Sequence, residues 1–201
     1  MIKHAYTGKF IAIDGPNGVG KSATIERLKY ILETQGKSVY TTKEPTETNL
    51  GQFVRNYAES NVGIELACLV AADRYSHLKN EILPQLQKGK IVITDRYFLS
   101  SLILQRMDNV DLDYIFNINA EILYPDLQRA LTADEETIKK RLSTRTTLTR
   151  FEVNDQTRNE IKFLEQAIQI IKNYDIPLLC INNNDNLEKN VIEISKAIML
   201  L

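Results

Sequence analysis

Eight consecutive residues, Gly15-Pro16-Asn17-Gly18-Val19-Gly20-Lys21-Ser22, carry the most specific chemistry in the chain. Their spacing is G-x4-G-K-S, in which glycines let backbone N–H groups turn toward an anion and a lysine adds a point charge. Ser22 offers a hydroxyl suited to Mg2+, and Ala23 follows where the loop would run into a helix. The positive end of that helix would face the same anion. A glycine turn with no ligand would not require Lys-Ser after its last glycine. The segment therefore reads as a site for the phosphates of ATP or another nucleoside triphosphate, with Mg2+.

A second group of residues could act on what those phosphates meet. Asp95 ends the apolar run Ile91-Val92-Ile93 and could touch Mg2+, one of its waters, or substrate-binding groups; it could equally cap a helix beginning near Phe98. Arg55 and Arg96 follow the second and third expected strands, and each has the planar fork that pairs with a phosphate. Arg145 and Arg150 lie in a Ser/Thr-rich segment suited to closing over a nucleotide and excluding water.

The elements that must position these groups are legible as alternating short apolar runs and helical patterns. Phe10–Ile13, Ser38–Tyr40, Ile91–Ile93, Gln128–Thr132 and Pro177–Ile181 read as strands. Helices are expected over about 21–35, 64–86, 99–107, 110–122, 135–143 and 155–173, with another after Asn182-Asn183-Asn184-Asp185. The stretch 64–86 has apolar residues three and four apart throughout, a face directed at a core. Strands separated by helices imply a five-stranded parallel sheet covered on both faces, a three-layer α/β fold, and the phosphate loop makes it one of the P-loop NTPase type. No linker or repeat interrupts the chain, so one domain spanning residues 1–201 is expected.

Composition narrows the partners. Lys+Arg 25 against Asp+Glu 26 gives a net charge of −1, which suggests no nucleic-acid or anionic-membrane role. No apolar run reaches the roughly 18 residues of a membrane span, and the N-terminus has no signal-peptide core. The expectation is a cytoplasmic protein. Cys68 and Cys180 have no metal-ligand spacing and read as two core thiols in a reducing compartment.

The phosphate loop alone does not distinguish a kinase from a GTPase or a motor, although no Asn-Lys-x-Asp guanine motif occurs. Three further segments decide it: Glu44-Pro45 leading to Leu50-Gly51 and Arg55; Asp95-Arg96-Tyr97-Phe98-Leu99-Ser100; and Arg141 to Glu152. With Ala72-Asp73-Arg74 they resemble, in order and over nearly the whole chain, the thymidylate kinase family. The resemblance implies transfer of the ATP γ-phosphoryl group to dTMP, with Mg2+, in a homodimer. It implies that Arg55, Arg74, Arg96, Val70, Ser101, Gln105 and Glu44 line the acceptor site. Glu44 would hold an arginine or a water on Mg2+, or else cap a turn. Arg74 would contact the acceptor, or else pair with Asp73 or Glu65 on the helix surface. The resemblance also implies a short lid at about 142–152, and because the phosphate loop has no arginine of its own, it gives the catalytic arginine to that lid, as Arg145 or Arg150. Catalysis would then be positioning and neutralisation of phosphate charge by Lys21, the arginines, Asp95 and Mg2+.

Three positions depart from the family pattern. Asn17 stands where Asp or Glu is common, Val70 where a phenylalanine stacks on the base, and Leu104 where a tyrosine is expected. All three bear on the acceptor, so another nucleoside monophosphate, a deoxynucleoside kinase activity, or a nucleotide-binding regulatory module without turnover are the alternatives at this stage.

Overall fold

The computed structural model describes residues 1–146, 148–153, 156–174, 176–184 and 186–201, with the backbone alone at 153. Thr147 of the expected lid therefore lies outside the described residues, as do Asp155 and Asp185 at the expected ends of a helix and a turn. Five strands form one sheet: β1 (Lys9–Asp14), β2 (Val39–Lys43), β3 (Ile91–Asp95), β4 (Leu127–Thr132) and β5 (Leu178–Asn182). They lie in the order β2-β3-β1-β4-β5, every neighbouring pair parallel. The central strand must be apolar on both faces, and all of β1 after Lys9 is buried.

Alternation along the strands separates two cores. Phe10, Ala12, Val92 and Ala130 join the side chains of α3 (Ile64–His77), α5 (Phe98–Met107), α6 (Leu112–Ile118) and α9 (Thr157–Lys172). Ile11, Ile13, Ile91, Ile93, Leu127 and Leu131 face the other way, against α1 (Lys21–Thr34), α7 (Glu135–Leu142) and α10 (Leu187–Met199). The expected three-layer architecture is thus the one observed.

Several local expectations need correction. The segment 64–86 is not one α-helix: α3 passes through a π-helical turn, Leu78–Ile82, into α4 (Leu83–Gln87). The wider turn rotates the apolar face, so Ile82 and Leu86 are buried while Ile64, at the start of the same pattern, is 54% exposed. The expected helix over 110–122 is shorter, Leu112–Ile118, beginning where Asp111 accepts a 3.1 Å bond from Tyr114 N–H. A helix that the turn-like composition concealed, α2 (Asn49–Tyr57), starts at Thr48, whose hydroxyl accepts from Gly51 N–H at 3.2 Å. Gly51 is required there because a Cβ would lie 2.1 Å from the Thr46 carbonyl oxygen. The short α8 (Arg150–Val153) was also not anticipated. Finally, Cys68 and Cys180 are exposed rather than core thiols: Cys68 sits on the outer side of α3, and Cys180 on the edge strand β5.

Candidate active site

The phosphate loop, Glu44 and Asp95 lie at the carboxyl ends of β1, β2 and β3, the edge where doubly wound sheets bind ligands. The phosphate loop leaves β1 between its two neighbours, β3 and β4. Gly20, with φ 100°, takes the N-cap position of α1 without a side-chain cap, and the first turn carries no acidic residue. The N–H groups of that turn are therefore available to an anion. A Cβ on Gly20 would fall 2.6 Å from Asn183 Nδ2, which instead donates to the Val19 carbonyl at 2.8 Å. Arg141 braces the same place, donating to the carbonyls of Val19, Asn183 and Asn184 at 3.1, 2.8 and 2.7 Å.

Lys21 is buried, and its ammonium donates to the Gly15 and Pro16 carbonyls at 3.0 and 2.9 Å. Burial, reinforced by the charge of Arg96, lowers its pKa to about 8, with Asp95, Glu160 and Asp14 opposing the shift. A bound triphosphate would reverse that tendency by favouring the charged form. Ser22 Oγ donates to Asp95 Oδ2 at 2.9 Å, while Asp95 Oδ1 is buried without a hydrogen-bond partner among the described residues. Asp95 does not cap α5; Tyr97 occupies that position. A hydroxyl beside a carboxylate with one uncommitted oxygen is a hard-oxygen donor set that fits Mg2+, an ion that also takes phosphate and water oxygens. Among the described residues no cluster of three or more His, Cys, Asp or Glu could hold a metal by itself.

A second cavity, of about 150 Å3, opens beside the first. The two meet at Asn17, Glu44 and Arg96, which line both. Val54, Leu66, Val70, Leu104 and Phe151 form its apolar wall. On the same cavity, Ser101 Oγ and Gln105 Oε1 are buried with no hydrogen-bond partner among the described residues. Desolvated polar atoms of this kind are costly unless something satisfies them, so they mark where a polar edge would dock.

The remaining wall is an ionic network. Arg74 is 1% exposed and donates to Glu44 Oε2 at 2.9 Å, to Asn119 Oδ1 at 2.7 Å and to the Tyr97 carbonyl at 3.2 Å. It pairs with neither Asp73 nor Glu65; Asp73 instead accepts from Thr46 N–H and Oγ at 2.7 and 2.6 Å. Glu44 also contacts His77 Nδ1 at 3.1 Å. Burial works to raise the Glu44 pKa, but Arg74 and His77 outweigh it and hold the carboxyl below its ordinary value. Arg55, on α2, donates to the Pro45 and Thr46 carbonyls at 2.6 and 3.1 Å and borders the second cavity. Arg96 adopts φ 72°, rare for a residue with a side chain, and this turns the chain from β3 toward α5. Its guanidinium donates to Ser100 Oγ at 3.1 Å and Asn17 Oδ1 at 2.7 Å.

The two lid arginines separate. Arg145 lines the cleft with Gly18, Lys21 and Ser22, and its guanidinium meets Glu152 Oε1 at 2.6 Å. Arg150 lines the second cavity, forks onto Asp108 at 2.9 and 2.5 Å, and stacks 4.0 Å above the Phe151 ring.

Sequence reading passed over some of the residues that hold this site. Asp14 is fully buried: Oδ1 accepts from Tyr97 N–H, Ser100 N–H and Ser100 Oγ at 2.9, 3.0 and 2.5 Å, and Oδ2 from Gln128 Nε2 at 2.9 Å. Its signal was a carboxylate closing a strand otherwise apolar on both faces. Glu160, 2% exposed, is bonded to Asn17; it stands four residues before Leu164 on the buried stripe of α9. A charge on an apolar stripe is a detectable anomaly. His77 and Asn119 had no comparable signal.

Comparison with known proteins gives the same picture from outside the geometry. Residues 13–194 match the family profile described as thymidylate kinase. A probable thymidylate kinase of Caldivirga maquilingensis is 37% identical over 173 residues, covering 83% of each chain. One from Pyrococcus horikoshii is 38% identical over 72% of this chain and 75% of its own. A thymidylate kinase of Caldicellulosiruptor saccharolyticus is 38% identical over 67% of this chain and 69% of its own.

Proposed function

The chain belongs to the thymidylate kinase family, and from that premise we propose that it transfers the γ-phosphoryl group of ATP to dTMP, giving ADP and dTDP. The observation that carries this reading is the meeting of two cavities at Asn17, Glu44 and Arg96, one lined by a phosphate loop and the other by unpartnered polar atoms on an apolar wall. An oxygen of the dTMP phosphate forms the new bond to the γ-phosphorus. The bond from that phosphorus to the β–γ bridging oxygen breaks, and its electron pair stays with ADP.

The protein's part is positioning and charge neutralisation. The uncapped N-terminus of α1 and Lys21 hold the ATP phosphates. Arg96 and Arg55 take the dTMP phosphate. Ser101 and Gln105 meet the thymine edge, with Val70 and Leu104 against its faces. Ser22 and Asp95 would hold Mg2+, which supplies positive charge at the β- and γ-phosphate oxygens. We assign the lid's catalytic arginine to Arg145, which borders the phosphate cleft, and give Arg150 the task of closing the acceptor cavity. A cytoplasmic homodimer agrees with the family resemblance, and among the described residues no helix is long and apolar enough to cross a membrane.

ADP release from Mg2+-ATP, measured against a panel of nucleoside monophosphates and nucleosides, tests the reading. Stimulation by dTMP above the other acceptors is expected. No stimulation by any acceptor would refute an enzyme, and stimulation by thymidine but not dTMP would make it a nucleoside kinase.

A further inference from the structure

Glu160 lies in the first turn of α9, the helix that follows the lid, and is 2% exposed. Both of its carboxylate oxygens are spent on one residue of the phosphate loop. Asn17 N–H donates to Oε2 at 2.7 Å, and Asn17 Nδ2 donates to Oε1 at 2.8 Å. The other end of the same carboxamide, Oδ1, accepts from Arg96 Nη2 at 2.7 Å. A buried carboxylate at this point touches neither cavity, yet it is linked by one side chain to the arginine at their junction.

The chemistry of the three groups fixes their order. An ionised carboxylate only accepts hydrogen bonds and a guanidinium only donates them. A carboxamide between them must turn its NH2 to Glu160 and its oxygen to Arg96, and no other orientation satisfies both. Ser100 Oγ fixes a second guanidinium nitrogen at 3.1 Å, so Arg96 is held at two points while other N–H groups remain for a phosphate. The arrangement also keeps the negative charge one side chain behind the surface. A neutral amide faces the space where two nucleotides' phosphates would meet, and the carboxylate acts through it.

We propose that Glu160 is a positioning residue for the acceptor. It locks the Asn17 carboxamide so that Asn17 aims the Arg96 guanidinium at the dTMP phosphate, and it ties the helix following the lid to the phosphate loop. The inference rests on the kinase reading above, and it assigns the departure at Asn17 a counterpart in another element. Asn17 and Glu160 together present one amide and one carboxylate, so the two groups can be exchanged without losing the pattern. In N17D/E160Q, the carboxylate at position 17 accepts from Arg96 and from the new carboxamide NH2 at position 160. That carboxamide's oxygen accepts from the backbone N–H of residue 17. Each single variant breaks the pattern: E160Q sets NH2 against NH2, and N17D sets carboxylate against carboxylate.

The test is the pair of single variants and the exchange, with KM and kcat measured separately for ATP and dTMP and folding followed by thermal melting. Each single variant is expected to raise the KM for dTMP about tenfold or more, with the KM for ATP changed less than about threefold. N17D/E160Q is expected to recover most of that loss, a result that simple destabilisation would not produce. Unchanged dTMP KM in both single variants would overturn the proposal, as would an exchange whose defect is the product of the two. If a single variant does not fold, the exchange decides: a dTMP KM within about threefold of wild type supports the role, and a larger defect refutes it. Wild-type protein inert toward dTMP would refute the kinase reading and this inference with it; active wild type with unaffected variants would refute the role of Glu160 alone.

Discussion

The donor cleft and the acceptor cavity touch, but they are built in opposite ways. The donor cleft is dominated by consecutive residues, Gly15 to Ser22, and by backbone: an uncapped helix end, glycines at positive φ and a lysine bonded to its own loop's carbonyls. The acceptor cavity takes residues from the phosphate loop, α2, α3, α5, the end of β3 and the segment 149–151, a spread from Asn17 to Phe151 in the chain. Its charged wall is a closed network in which Arg74 is committed to Glu44, Asn119 and a carbonyl. Local construction tolerates few substitutions because each residue has a backbone task. Distributed construction can change one wall while the others stand, and the departures at Val70 and Leu104 lie on that apolar wall.

Substitutions should divide the two halves accordingly. K21A is expected to produce the largest loss, about 100- to 1,000-fold or more in kcat, because it removes a preorganised charge from the transferring phosphates. Its melting temperature should not fall, since the buried ammonium it removes is already destabilised. A near-normal rate would break the donor assignment. Next, R145A should lower kcat by about 100-fold, the loss expected when one preorganised donor is removed from developing phosphoryl charge. R150A should instead raise the dTMP KM by about tenfold and lower the melting temperature, since Asp108 would be left buried without its partner. The reverse pattern would exchange the two arginines' roles.

Gln105→Leu addresses the acceptor half alone. Loss of its polar contact to the base should cost about 1–3 kcal/mol, seen as a rise in the dTMP KM with the ATP KM unchanged. pH distinguishes the halves in another way. In the free enzyme Lys21 loses its proton above about pH 8, so the KM for ATP should climb with pH from there, by up to about tenfold per unit. The dTMP KM should stay flat to pH ~9, because a guanidinium in general keeps its charge through that range. In stability the sign is opposite: the folded pKa lies below the ordinary lysine value of 10.5, so the penalty for burying the ammonium is full below about pH 8 and fades as pH rises toward 10.5. The smallest effect is expected from Val70→Phe. A stacked ring should tighten dTMP by roughly fivefold, about 1 kcal/mol. Weaker binding would mean that Phe151, on the same cavity, already fills that face.

The residues of the chain declared the α/β alternation, the phosphate-loop motif and Asp95 at a strand end, because each rests on short-range rules. Apolar runs report strands, glycine spacing reports a phosphate turn, and a carboxylate ending a buried strand stands out. These rules fail where structure depends on what lies opposite. The helix α2 was hidden because Gly51 reads as a turn residue until Thr46 is seen packed against it. The regular pattern over 64–86 gave no warning of the π-helical turn, and two cysteines among apolar neighbours proved exposed.

By itself, then, the sequence determined the phosphate-loop motif between β1 and α1, and which residue types are on offer for the second nucleotide that the proposed reaction needs. Tertiary structure alone decided that Arg145 faces the phosphate cleft and Arg150 the acceptor cavity, that Arg74 is locked by Glu44, and that Asn17 hangs between Arg96 and Glu160. The physical reason is the range of the interactions. A phosphate loop is specified by backbone conformations that neighbouring residues dictate, whereas a hydrogen bond between positions 17 and 160 depends on how two helices and a sheet pack.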